Sequence, residues 1–449
     1  MRRSSWRAAG IALAVAASAL TAAGAMADEG PTSTAGPDHA RYSLRLDGDD
    51  AGTSWKGTEK VSFRNTGDAP LRTVWLRLWG NGSGGCDDTA VRLTRPRGGE
   101  LGEASVGCTA VPVTLRHAAG PGRRATVSFD VSIDVPDKVD RFGRAGKYNF
   151  LGNAVPLLAV KDARGWQLPP YVSGGESFYS LTSDFSVSLR HSDAIAVPST
   201  GHVVAESHRR GRTTTVISAP RVRDFAWAAG PFHRETDDVG GVRLNTWYPD
   251  DVTADTASDV SGWARQAMDG FSDAYGDYPY AEMDTVVGDW PGFGGMEYPN
   301  FILSEPQRVD VVHETGHQWF YGLVGDDEYD DPWIDESVTQ YITVRVTGIP
   351  SYCDTSPFWF SDGMRIDAGM DYYGDKPDEY APGIYGDGAC MFHELEGKIG
   401  ADAMTRALAA LVRAHRYGVV TSDDLRAVFA KVSGTDLTDF WQRWRNTGA

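Results

Sequence analysis

Basic residues are scarce in this chain. Its 449 residues hold 43 Lys+Arg against 61 Asp+Glu, a formal charge of −18. Nucleic acid is therefore excluded as an expected partner, because phosphate binding needs clustered cations. Long apolar runs are equally rare. Beyond the first 27 residues none approaches the about 20 strongly apolar residues needed to span a bilayer, so no stable membrane insertion is expected. Cysteine is limited to four residues and no Cys-x-x-Cys occurs, which argues against a cysteine-built zinc site. Internal repeats are absent. With 41% hydrophobic and 23% charged residues, the composition excludes a disordered or collagen-like chain and fits a globular protein of two or three domains.

The N-terminus has its own texture. Arg2, Arg3 and Arg7 precede the apolar run Ala8–Ala17, and small residues lead to Ala25-Met26-Ala27. A basic start, a short apolar stretch and an A-x-A site read as a secretory signal peptide, residues 1–27, cleaved near Ala27. The expected location is therefore secreted or extracellular. Oxidising surroundings suit disulfides, and four cysteines allow three pairings. Cys86–Cys108 with Cys353–Cys390 keeps each bridge within one domain and is the expected arrangement.

Residues 28–40 are polar and rich in Pro and Gly, and are expected to form a flexible lead. From 41 to 238 short alternating runs recur between Gly, Asp and Pro turns. Val127–Ile133 and Phe185–Leu189 show strict period-two alternation. This predicts an antiparallel β domain, a sandwich or barrel. From 239 to 449 the apolar spacing becomes helical, predicting helices over 257–275, 306–325, 333–346, 386–399, 402–416 and 422–447, with a strand near Thr285–Val287. The fold class is thus α+β multidomain.

The chemistry is concentrated in Val312-His313-Glu314-Thr315-Gly316-His317. Residues four apart share a helix face, so His313 and His317 can present two imidazoles to one zinc ion. Glu314, one step along, is placed to take a proton from the attacking water. A third ligand comes from Glu336, on the next helix and separated from His317 by 18 residues. Two histidines and a carboxylate leave a fourth zinc position open, which marks a catalytic rather than a structural site. The acidic stretch Asp326, Asp327, Glu328, Asp330 and Asp331 between the ligands reads as a solvated loop, with a preference for basic substrate residues as the functional alternative, and Asp310, Asp331 and Asp335 are candidate partners for the second imidazole nitrogens.

This pattern resembles the gluzincin peptidases, specifically the family of aminopeptidase N and leukotriene hydrolase. Gly294-Gly295-Met296-Glu297-Tyr298 is similar to the family's Gly-x-Met-Glu-Asn, and Tyr385-Gly386-Asp387-Gly388-Ala389 to its Tyr-x-Lys-Gly-Ala. The resemblance implies a β-sandwich or saddle domain followed by a thermolysin-like catalytic domain, with one zinc per chain. It also implies peptide substrates, with Glu297 pairing with a free α-amine beside Gly295 and Met296, and Tyr385 stabilising the oxyanion. The family's other amine-binding group comes from the β domain, within the stretch 149–176. A secreted zinc aminopeptidase is the leading expectation. Tyr298 and Asp387 depart from the family pattern, so a zinc endopeptidase or dipeptide-releasing enzyme is the alternative. An inactive peptide-binding module would need a catalytic residue to be missing, and none is.

Overall fold

The computed structural model of the protein describes residues 35–290, 293–349, 353 and 364–447. The predicted signal peptide lies outside them. The sheet begins at Pro37, so the end of the expected flexible lead is strand, and residues 28–34 of that lead fall outside the described residues.

Period-two sequences make the first unit. Pro37–Gly48 alternates buried and exposed side chains along its length, as a strand with one face on a core must. It sits inside a seven-stranded sheet ordered His202–Arg209, Arg212–Val222, Ser183–Ser192, Pro37–Gly48, Ser54–Asn65, Arg124–Asp134, Val91–Arg97. Only the pairing of Pro37–Gly48 with Ser183–Ser192 is parallel in that sheet. A smaller four-stranded sheet, built on Leu71–Arg77 and Ala110–Ala119, packs against it. Trp55, Phe63 and Phe129 from the first sheet share one core with Val74, Leu76 and Val113 from the second. This is the predicted sandwich. The Cys86–Cys108 bridge closes a separation of 22 residues at its end, a staple of roughly 3 kcal/mol.

Strand His233–Val239 already belongs to the sheet of the second unit. Its five-stranded sheet runs His233–Val239, Val242–Tyr248, Glu282–Val287, Phe301–Ser304, Gly295–Met296. Helix Ala254–Tyr275, capped by the Thr253 hydroxyl accepting from the Thr256 N–H, makes the crossover between the parallel strands Val242–Tyr248 and Glu282–Val287. Every residue of Glu282–Val287 is buried, as in a strand covered on both faces. Helices cover one side. On the other, Val286, Trp290 and Leu303 pack with Trp79, Tyr148, Phe150 and Phe178 of the β unit.

The helix predicted over 306–325 covers only Arg308–Gly316. Beyond His317 the chain turns, Tyr321 takes φ +140°, and Phe320 bridges to Val324. The turn is held by Arg223 from the β unit, whose Nε donates to the Tyr321 carbonyl at 2.6 Å. The helix predicted over 422–447 breaks at Gly434, in the left-handed conformation that ends helices, and gives Ser422–Ser433 and Thr438–Arg443. The Cys353–Cys390 bridge forms as expected. Among the described residues no helix is long and apolar enough to cross a membrane.

Candidate active site

Helix Arg308–Gly316 presents Asp310, His313 and Glu314 along one face, and His317 continues it as the cap. Beside it runs helix Trp333–Thr347, carrying Glu336 in its first turn. The two helices approach closely because Gly316 has no side chain: a Cβ there would lie 3.0 Å from Thr339 Cγ2. Three buried donor atoms converge as a result. His313 Nε2 lies 3.0 Å from Glu336 Oε2 and 3.0 Å from His317 Nε2, and His317 Nε2 lies 3.3 Å from Glu336 Oε2. The edge of a tetrahedron around zinc, with ligands at about 2.0–2.1 Å, is about 3.3–3.4 Å. The triangle has the size such an ion needs.

The electrostatics agree with a cation site. Burial opposes ionisation of Glu336, but the adjoining imidazoles of His317 and His313 prevail and hold it well below the usual carboxylate range. Burial lowers the pKa of His313, favouring the neutral ring that ligates metal, while at His317 the charge of Glu336 prevails over burial and raises it. His317 Nδ1 is tied to the Phe320 carbonyl at 3.0 Å and to Thr339 Oγ1 at 3.3 Å, which directs Nε2 into the triangle. None of Asp310, Asp331 or Asp335 makes this contact. His313 Nδ1 has no hydrogen-bond partner among the described residues.

Glu314 is 5% exposed, and its Oε2 has no hydrogen-bond partner among the described residues. Burial, then the negative charges of Glu336 and Glu176, raise its carboxyl well above the ordinary value. Its space is made by Gly295, where a Cβ would fall 2.5 Å from Glu314 Oε1. Glu297, two residues on along the edge strand, is also buried, and its donor atoms cluster with those of Glu314 and His317 within 4.8 Å. Met296 is different. It is fully buried, its sulfur meets Arg141 Nη1 at 3.1 Å, and its side chain packs into the interdomain core rather than lining the cleft.

The β unit completes the wall with Glu176, the last residue of the stretch expected to supply a second amine-binding group. Its Oε1 accepts from Arg141 Nη1 at 2.7 Å, while Oε2 has no hydrogen-bond partner among the described residues. Arg141 is itself held near the rings of Phe178 and Phe293. No periodic signal marks either residue; both lie in irregular segments between strands.

Tyr385 stands opposite, on the π-helical turn Pro382–Asp387, with its ring centroid 5.7 Å from that of His313. That turn is pinned to the Glu336 helix by Ser337, whose hydroxyl donates to the Ile384 carbonyl at 2.7 Å. A π-turn is a common way to re-aim a functional side chain. The departures from the family pattern point away from the cleft: Tyr298 is buried and donates to Asn153 Oδ1 at 2.7 Å, and Asp387 does not line it.

These side chains enclose a cleft of about 640 Å³ between the two units. The acidic loop beside it is not solvated as predicted. Asp326, Asp327 and Glu328 are buried, Glu328 Oε2 accepts from the Phe178 N–H at 3.0 Å, and Arg164 pairs with Asp327 and Asp330. Carboxylates of Glu176, Glu297, Glu328 and Asp335 lie within 4.8 Å of one another, so the inner wall is strongly acidic.

Comparison with known proteins places this geometry. Residues 263–444 match the Peptidase family M1 domain. Aminopeptidase M1-B of Oryza sativa subsp. japonica is 26% identical over 213 residues, 40% of this chain and 24% of its own length. Aminopeptidase N of Lactococcus lactis subsp. cremoris is 29% identical over 165 residues, 33% of this chain and 19% of its own. The matched stretch is thus a quarter or less of these relatives. A solved M1 zinc metallopeptidase mutant from Deinococcus radiodurans, bound to a Tyr-Ser-Ala substrate, superposes with TM-score 0.66 at 17% identity, covering 91% of this chain and 94% of that one. The two-unit fold is shared over nearly the whole chain.

Proposed function

Because the chain belongs to the aminopeptidase N family of zinc metallopeptidases in its two-domain form, we propose that it is an exported aminopeptidase that removes N-terminal residues from peptides. The observation that carries this reading is the convergence of His313, His317 and Glu336 within 3.3 Å, beside a buried and unpartnered Glu314. His313 Nε2, His317 Nε2 and Glu336 Oε2 would hold the ion. Bound there, zinc supplies Lewis acidity and lowers the pKa of water to about 7.

The protein's own groups do the rest. Glu314 accepts the proton of the attacking water and delivers it to the leaving amine, a role that its buried position beside the ligand triangle favours. The Tyr385 hydroxyl donates to the oxyanion as the carbonyl becomes tetrahedral, a contribution worth roughly 3–4 kcal/mol. Glu297 and Glu176 receive the substrate's ammonium, and their buried, unpartnered oxygens favour a cation there. Seating the amine at that end fixes the first peptide bond beside Glu314. The two disulfides and the predicted signal peptide support export.

The test uses peptide pairs differing only in a free or acetylated N-terminus, with products identified by mass spectrometry. Loss of single N-terminal residues from the free member alone is expected. Internal cuts in both members would replace this reading with an endopeptidase, and Glu297 would lose its role.

A further inference from the structure

The cleft has a readable direction. The edge strand and the His313 helix run alongside each other: Gly294 meets Asp310, Gly295 meets Glu314, and the Glu297 carbonyl meets Gln318. Glu297 clusters with His317 at one end of this track, together with Glu176. Asp310 lies at the other end, about one helical turn before His313. A peptide whose amine is held by Glu297 therefore runs antiparallel to the edge strand, past Glu314, and delivers its second residue toward Asp310.

Asp310 is uncompensated. It lines the cleft with Val309, Phe293 and Gln340, and makes no hydrogen bond or ion pair among the described residues. Partial burial, reinforced by Glu305 nearby, raises its carboxyl to about 6, so it is ionised but poorly solvated at neutral pH. Arg141 is the one Lys or Arg among the described cleft-lining residues, and it is already paired with Glu176. Asp140, on the β-unit rim, is likewise already paired, with Lys138.

We infer that Asp310 is a specificity-determining residue for the leaving side of the scissile bond, favouring peptides whose second residue is lysine or arginine. The inference rests on the aminopeptidase reading of the same cleft. Its basis is a half-buried carboxylate without a partner, placed where the second side chain arrives. A basic side chain would supply the missing counter-charge, while an acidic one would meet Asp310 with Glu305 behind it.

The experiment compares kcat/KM for tripeptides with lysine, norleucine or glutamate second. The first residue is held at the one the zinc-loaded enzyme releases fastest. Norleucine keeps the lysine stem and drops its charge. Lysine should exceed norleucine by roughly tenfold, and glutamate should trail both. In Asp310→Asn the lysine-to-norleucine ratio should fall to near one, and in Asp310→Lys glutamate should become preferred over lysine. Each ratio is taken within one protein, so a change in overall activity cancels. Equal rates for lysine and norleucine in the unmodified enzyme, or a ratio unchanged in both variants, would overturn the role of Asp310. Product masses keep the two readings apart: release of one N-terminal residue sustains the aminopeptidase reading even when the ratios fail, whereas internal cleavage overturns both.

Discussion

Gly295 and Glu314 share a space that only one of them can fill: a Cβ on Gly295 would sit 2.5 Å from both Glu314 Cγ and Oε1. The obstacle is steric, because Gly295 is not among the residues with positive φ. Gly295→Ala should therefore push the Glu314 carboxylate out of line without disturbing His313, His317 or Glu336. Expected is a fall in kcat of about a hundredfold, of the size that general acid–base catalysis contributes, with zinc content unchanged by elemental analysis. Full activity in the alanine variant would mean that Glu314 works from a different rotamer.

Tyr385 is aimed by Ser337, whose hydroxyl holds the Ile384 carbonyl, while Gly388 leaves room for Ser337: a Cβ there would lie 2.0 Å from its Oγ. Tyr385→Phe should lower kcat by about 10²–10³-fold, the usual effect of losing one oxyanion donor, with KM changed little. Ser337→Ala should give a smaller loss of the same kind, because the π-turn loosens but the hydroxyl of Tyr385 survives. Steady-state kinetics on both variants checks the pair. A Tyr385→Phe enzyme that loses only KM would assign the ring to substrate binding.

How much of this was legible depended on whether a periodicity carried it. His313 and His317 were readable because the i, i+4 rule ties sequence spacing to one helix face, and Glu336 because a second helix opens just ahead of it. The β sandwich was readable from alternation. Glu176 could be narrowed only to a stretch, since it sits in irregular chain and is fixed by Arg141, 35 residues earlier. The acidic loop misled for the opposite reason. Dense carboxylates ordinarily seek water, but here they turn inward onto Arg164 and the Phe178 N–H, contacts from another domain that local sequence does not announce. The helix predicted over 306–325 failed similarly, because its second half is captured by Arg223 from across the interface.

Metal removal should cost both activity and stability. Without the ion, three buried polar groups face one another across 3.0–3.3 Å, and among the described residues only His317 is anchored outside the triangle, at Phe320 and Thr339. A ligand that binds the folded state alone stabilises it by about 2.7 kcal/mol at a hundred times its Kd. Chelation should abolish turnover and lower Tm by several degrees, and added zinc should restore both. In Glu336→Gln the restoring zinc concentration should rise at least tenfold. A Tm indifferent to chelator would indicate that the triangle does not hold metal in solution.

The interface itself should report pH. Asp224, at the end of the β unit, accepts from the Tyr321 hydroxyl at 2.6 Å. Burial raises its carboxyl to about 7, against the opposing pull of the Tyr321 bond and of Arg223. In the unfolded chain an aspartate titrates near 3.9. Between those values the folded protein binds more protons than the unfolded one, so this group's contribution is complete below about pH 4 and is lost as pH rises toward 7. The loss is at most roughly 4 kcal/mol. Asp224→Asn keeps an acceptor for Tyr321 but does not titrate. Thermal unfolding at pH 5 and pH 8 should therefore show a smaller Tm drop in the asparagine variant than in the unmodified protein, with the variant the more stable of the two at pH 8. The other buried carboxylates titrate alike in both proteins, so the difference isolates Asp224. Parallel curves for the two proteins would mean that Asp224 is ionised throughout, with Arg223 compensating its charge inside the interface.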